Sequence, residues 1–98
     1  MKQVVVTGVG AITPLGVGAS TLHDRWAAGE VAIQGGEAPC AAFDPLDFLS
    51  RKDARRADRF TQFALAGSQE ALAQAGWDEE APYDPERIGC IMGTGIGG

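Results

Sequence analysis

Two stretches of the chain carry apolar residues without alternation, VVVTGVG from Val4 to Gly10 and IGCIMGTGIGG from Ile88 to Gly98. Runs rich in Val and Ile that spill into glycines suit strands covered on both faces, the arrangement of a parallel α/β sheet. Between the runs the pattern changes. Pro14 and Gly16 make a loop, and Ser20 or Thr21 is placed to cap a helix running through Leu22 and Trp26 to a stop at Gly29. From Glu30 to Asp44, Gly, Ala and Pro mix with isolated apolar residues and read as a loop with one weak strand. Ser50 and Asp53 have the spacing of a capping box, with Asp in place of the preferred Glu, and open a charged helical turn. A longer helix starts near Asp58. In it Phe60, Phe63, Ala64, Gly67, Ala71 and Ala75 fall at helical spacing, and Gly76 supplies the stop. Pro82 and Pro85 keep the chain extended until the second strand begins near Arg87. The predicted order is strand, helix, loop, helix, strand, wired by a right-handed crossover.

The second run ends in its turn with no helix after it to cover the strand. Residues 1–98 therefore read as the front piece of a larger α/β domain. Size agrees, since a domain of 98 residues buries only about 60–65% of its unfolded surface and has little margin for an exposed sheet. Apolar residues at 45% and charged residues at 21% exclude a disordered tail. The 14 glycines, about double the usual share, cluster behind the strand candidates and mark tight turns and close backbone approach.

A net charge of −5 gives no general affinity for nucleic acid or anionic membrane. No stretch is long enough to span a bilayer. The start has Lys2 before an apolar stretch, as a signal peptide does, but Thr7, Gly8, Gly10, Thr13 and Pro14 interrupt it. Cys40 and Cys90 lack CxxC spacing, so neither a disulfide framework nor a zinc site is supported, and a reducing, cytoplasmic setting fits.

Candidate chemistry is sparse. GTGIGG (Gly93 to Gly98) satisfies GxGxxG behind a strand, yet the dinucleotide fingerprint needs a helix immediately afterwards and an acid about 20 residues on. Pro14 and Gly16 likewise delay the helix after Gly8-Val9-Gly10 too far for its dipole to reach a phosphate. Cys90, inside a strand, reads as a small buried residue. Cys40 has no evident base beside it, and His23 sits on a surface helix in a solvated or capping role. No catalytic constellation, cofactor site or metal site emerges.

Arg51, Lys52, Arg55, Arg56 and Arg59 place five of the eight basic residues within nine positions. Lys52, Arg55 and Arg56 form an i, i+3, i+4 set on one helix face, with Asp53 and Asp58 turned elsewhere. Such a face is either solvated, with intrahelical pairs to the two acids, or a docking patch for an acidic partner.

Taken in order, VVVTGVGAITPLG, SRKDARRADRFTQFALAGSQEAL and RIGCIMGTGIGG closely resemble the N-terminal part of the discrete β-ketoacyl-[acyl carrier protein] synthases, the elongating condensing enzymes of bacterial fatty-acid synthesis. The resemblance covers essentially the whole chain. It implies a thiolase-like fold, a parallel-rich mixed sheet with helical layers, of which residues 1–98 are an incomplete N-terminal fragment. It also implies a homodimer and decarboxylative condensation of an acyl group with malonyl on acyl carrier protein. In such enzymes a Cys takes the acyl group, two His assist decarboxylation and stabilise the oxyanion, and a Lys supports the site. Cys40, Cys90 and His23 do not stand in those motifs, so no catalytic residue transfers. Lys52, Arg55 and Arg56 do match family positions that contact the acidic carrier protein. Aromatic-polyketide condensing subunits or their chain-length partners begin similarly and stay open as an alternative, as does a short non-catalytic module that binds carrier protein.

Overall fold

A 17-residue helix, α3 (Arg59–Ala75), is the element on which the rest is assembled. Its sequence is rich in Ala and Gln, with two Leu, all good helix formers. Gly76 ends it in the left-handed region at φ 79°, and Trp77 N–H donates to the Leu72 carbonyl at 2.8 Å while Gly76 N–H reaches Ala73 at 3.1 Å. Two otherwise orphaned carbonyls are thereby satisfied. The computed structural model describes residues 2–97; the final glycine of the second apolar run and of GTGIGG, Gly98, lies outside them.

The first apolar run crosses the small-residue side of α3. A Cβ at Gly8 or Gly10 would overlap the backbone carbonyl of Ala71 or Gly67, so glycine alone permits the approach. Side chains of the helix then take backbone donors of the run and of the residue after it: Val9 N–H donates to Gln74 Oε1 at 2.7 Å and Ala11 N–H to Glu70 Oε1 at 2.8 Å.

The expected parallel sheet and its crossover are not formed among the described residues. Neither apolar run joins a ladder, and Val4, Val6 and Ile91 remain 95%, 82% and 96% exposed. A buried strand is stabilised by its neighbours' hydrogen bonds and by cover on both faces; α3 covers one side of the first run at Gly8 and Gly10, and no described segment pairs with either run as a strand. The only sheet among the described residues is an antiparallel hairpin of β1 (Ile12–Thr13) and β2 (Gly16–Val17), in register Ile12 with Val17 and Thr13 with Gly16. The chain accordingly exposes 7890 Å², against about 5,300 Å² for a compact protein of its mass. Its radius of gyration is 15.4 Å where about 13 Å is usual for 100 residues.

Helix α1 (Ala19–Ala27) begins ahead of both predicted caps, Ser20 and Thr21. Its N-cap, Gly18, has no side chain, and Ala19 N–H is instead satisfied by Glu70 Oε2 of α3 at 2.9 Å. One carboxylate thus ties the first run, the hairpin and α1 to the central helix. Helix α1 ends before Gly29, and Arg25 reaches back to the Leu15 carbonyl while pairing with Glu30 at 2.9 Å. In the following loop, Gln34 and Glu37 bridge across Gly35-Gly36, both at positive φ, which accounts for the one weak strand expected there. Where Pro85 was expected to keep the chain extended, Pro85–Arg87 form a 3₁₀ turn, because proline's fixed φ suits its first position.

Candidate functional site

Six residues are too few for a self-supporting helix, yet α2 (Arg51–Arg56) is held at both ends. Ser50 Oγ accepts from Asp53 N–H at 3.1 Å, the cap expected from the spacing. At the other end Gln62, buried within α3, donates from Nε2 to the carbonyls of Ala54 and Ala57 at 3.0 and 3.3 Å. A 3₁₀ turn at Pro45–Asp47 packs beside α2, started by Asp44 Oδ1 accepting from Leu46 N–H at 2.9 Å.

Behind this unit lies an aromatic cluster. Phe43 is buried, stacks on Phe48 at 5.7 Å and meets Phe63 edge-on at 5.2 Å. The Arg59 guanidinium sits 5.0 Å from the Phe43 ring centre and 4.9 Å from that of Phe63, and donates to the Cys40 carbonyl at 3.2 Å. Cation–π and hydrogen-bond contacts together commit this arginine to the fold. Gln69 closes the cluster by donating to the Phe48 carbonyl at 3.3 Å.

Arg59, though exposed, is engaged by the two aromatic rings, and Arg51, Lys52, Arg55 and Arg56 stand exposed on α2. The i, i+3, i+4 spacing brings Lys52, Arg55 and Arg56 onto one side, as expected. Among the described residues the only ion pair is Arg25–Glu30, so Asp53 and Asp58 do not neutralise the patch. The structure adds Arg51, which lines a shallow groove with Leu46, Ala54 and Arg55. Sequence spacing had left Arg51 outside the set, and Leu46 carried no signal at all. Four cations on a braced helix can bind carboxylates.

Cys90, expected to be buried, is exposed, because the run that contains it has no strand beside it. It borders an open groove of about 710 Å³ between α3 and the second run, lined by Phe60, Phe63, Leu65 and Met92 among others. That volume is ligand-sized, but Cys90 is its only titratable group. Cys40 is half-buried in its loop and His23 is exposed on α1, so the two thiols and the imidazole stand on separate elements. In GTGIGG, Gly97 at φ 88° donates its N–H to Thr94 Oγ1 at 3.1 Å, forming a tight turn. Among the described residues no three His, Cys, Asp or Glu side chains are grouped to hold a metal ion, and no helix is long and apolar enough to cross a membrane.

Residues 25–98 match the family described as "Beta-ketoacyl synthase, N-terminal domain". Over 99% of the chain, 40% of residues are identical to 3-oxoacyl-[acyl-carrier-protein] synthase 2 of Synechocystis sp., and 37% to the putative polyketide beta-ketoacyl synthase 1 of Streptomyces halstedii. The 3-oxoacyl-[acyl-carrier-protein] synthase 2 of Rhizobium meliloti is 32% identical over the full chain. The chain spans 26% of the first two relatives and 28% of the third. No solved structure matches it significantly. Matched by the family's own profile and aligned along nearly all its length with such relatives, the chain belongs to the β-ketoacyl synthase family, in its N-terminal domain.

Proposed function

We propose that the chain is the carrier-protein docking part of a 3-oxoacyl-[acyl carrier protein] synthase. The synthase joins an acyl thioester to malonyl-[acyl carrier protein] with loss of carbon dioxide, in fatty-acid elongation. Lys52, Arg55 and Arg56 receive the acidic carrier protein. The observation that supports this role most is a cationic face without ion-pair partners among the described residues, braced from behind by Gln62, on a chain whose net charge is −5. Local positive charge on an acidic protein selects an acidic partner in one orientation and speeds encounter. Condensation itself requires an activated nucleophile beside a base, and Cys40, Cys90 and His23 supply no such pair.

The test uses the complete synthase carrying these residues. Lys52→Glu combined with Arg56→Glu should raise the apparent KM for carrier-bound acyl and malonyl substrates about tenfold, with little change when both groups are presented on coenzyme A. Equal loss with both kinds of substrate from a folded variant would assign the patch a structural role. A second reading, a condensing subunit of aromatic-polyketide assembly, draws on the 37% identity with the Streptomyces halstedii protein. The product separates the two: one 3-oxoacyl thioester per condensation, extended again only after a separate reductase has acted, for the fatty-acid enzyme, and an unreduced poly-β-ketone for the other.

A further inference from the structure

The groove beside the cationic face is not itself charged at its base. Leu46, at the middle of the 3₁₀ turn, is 48% exposed although Pro45 and the Asp44 cap fix its backbone. Ala54 lies half-buried opposite, and Arg51 and Arg55 flank the two. Lys52 and Arg56 extend the positive charge along the same short helix, and the only acids in the two elements, Asp47 and Asp53, are exposed and outside the groove lining. A polyanion with no apolar component would use the cations and leave Leu46 idle. A partner that uses both must set an aliphatic side chain among carboxylates, which is the surface of an acidic amphipathic helix.

We propose that Leu46, Ala54, Arg51 and Arg55 form an anchor pocket that seats one aliphatic side chain from an acidic helix of the docked carrier protein. This rests on the docking reading and adds to it a contact that salt does not screen. The cations steer the partner in, and the pocket sets how long it stays, since apolar contact at the centre of a charged rim acts mainly on dissociation.

Titration of fluorescently labelled acyl carrier protein with the full chain, at low and high salt, separates the contributions. Leu46→Ser should weaken binding about fivefold by the same factor at both salt concentrations, and Leu46→Met should bind as the parent does. Ala54→Leu, which keeps every charge and puts another good helix former in place of Ala, should weaken binding by filling the pocket. Lys52→Glu with Arg56→Glu should lose affinity chiefly at low salt. Poly-glutamate, as a second probe, should respond to the charge reversal and ignore both pocket variants. Parent-like binding by Leu46→Ser and Ala54→Leu, with charge reversal still effective, overturns the pocket and leaves docking intact. If charge reversal also has no effect, the docking reading falls and the pocket with it.

Discussion

Helix α2 and the first apolar run both lie against α3, and neither can stand alone, yet they are held in opposite ways. Helix α2 finds partners nearby: Ser50 for its first turn, Gln62 for the Ala54 and Ala57 carbonyls, the Pro45–Asp47 turn along its side. The run keeps α3 at Gly8 and Gly10 and two amides on Gln74 and Glu70, while Val4 to Val6 project into solvent. A charged helix is completed by caps a few residues away, whereas a buried strand is completed by other strands. The cationic face is therefore a finished surface. The apolar runs are surfaces that still call for cover.

That contrast can be broken at its points of attachment. Gly10→Val should have the largest effect, because its Cβ would enter the Gly67 carbonyl, and overpacking of this kind costs about 2–3 kcal/mol. Amide exchange should quicken at Val9 and Ala11 while Ala54 and Ala57 keep their protection. Loss of protection in α2 as well would mean that the two regions are one cooperative unit. Gln62→Leu should do the reverse at about 1–2 kcal/mol, since the Ala54 and Ala57 carbonyls lose their side-chain donor. Exchange should then quicken in α2, with Val9 and Ala11 unchanged; an unaltered α2 would show that its cap and neighbouring turn suffice.

The smallest effect belongs to neither region. Hydrogen bonding from Arg25 holds the Glu30 carboxyl below its ordinary range, and the same contact raises the Arg25 guanidinium. A carboxylate depressed in the folded state adds stability above its unfolded pKa, and that contribution fades as pH falls through the folded one. Both side chains are 45% exposed, so solvent screens the pair. Lowering the pH to and below the ordinary glutamate range should shift the Arg25 Nε–H resonance in the parent and leave it still in Glu30→Gln.

What could be read from the residues follows the same division. The Ser50 cap, the Gly76 stop and the Lys52, Arg55 and Arg56 face depend on neighbours within one or two turns, and the spacing displayed them. Glu70 as the acceptor at the start of α1, 51 residues from Ala19, and Gln62 beneath α2 carried no local mark, because their partners are backbone groups brought near only by folding. The two strands failed for a third reason. Their apolar pattern states what environment they need, and among the described residues that environment is missing, which leaves Cys90 in the open rather than inside a sheet.

The proposed docking face is tested most directly by the association rate of the full chain with acyl carrier protein, followed by stopped-flow fluorescence across ionic strength. Both proteins are acidic, so a rapid, salt-sensitive encounter requires a local patch. The parent's rate constant should fall about tenfold as the Debye length shrinks from about 30 to about 8 Å, while Lys52→Glu with Arg56→Glu should start slow and stay nearly flat. Equal, salt-independent rates for the two would contradict the account: α2 would then be a solvated helix, and the carrier protein would have to dock elsewhere.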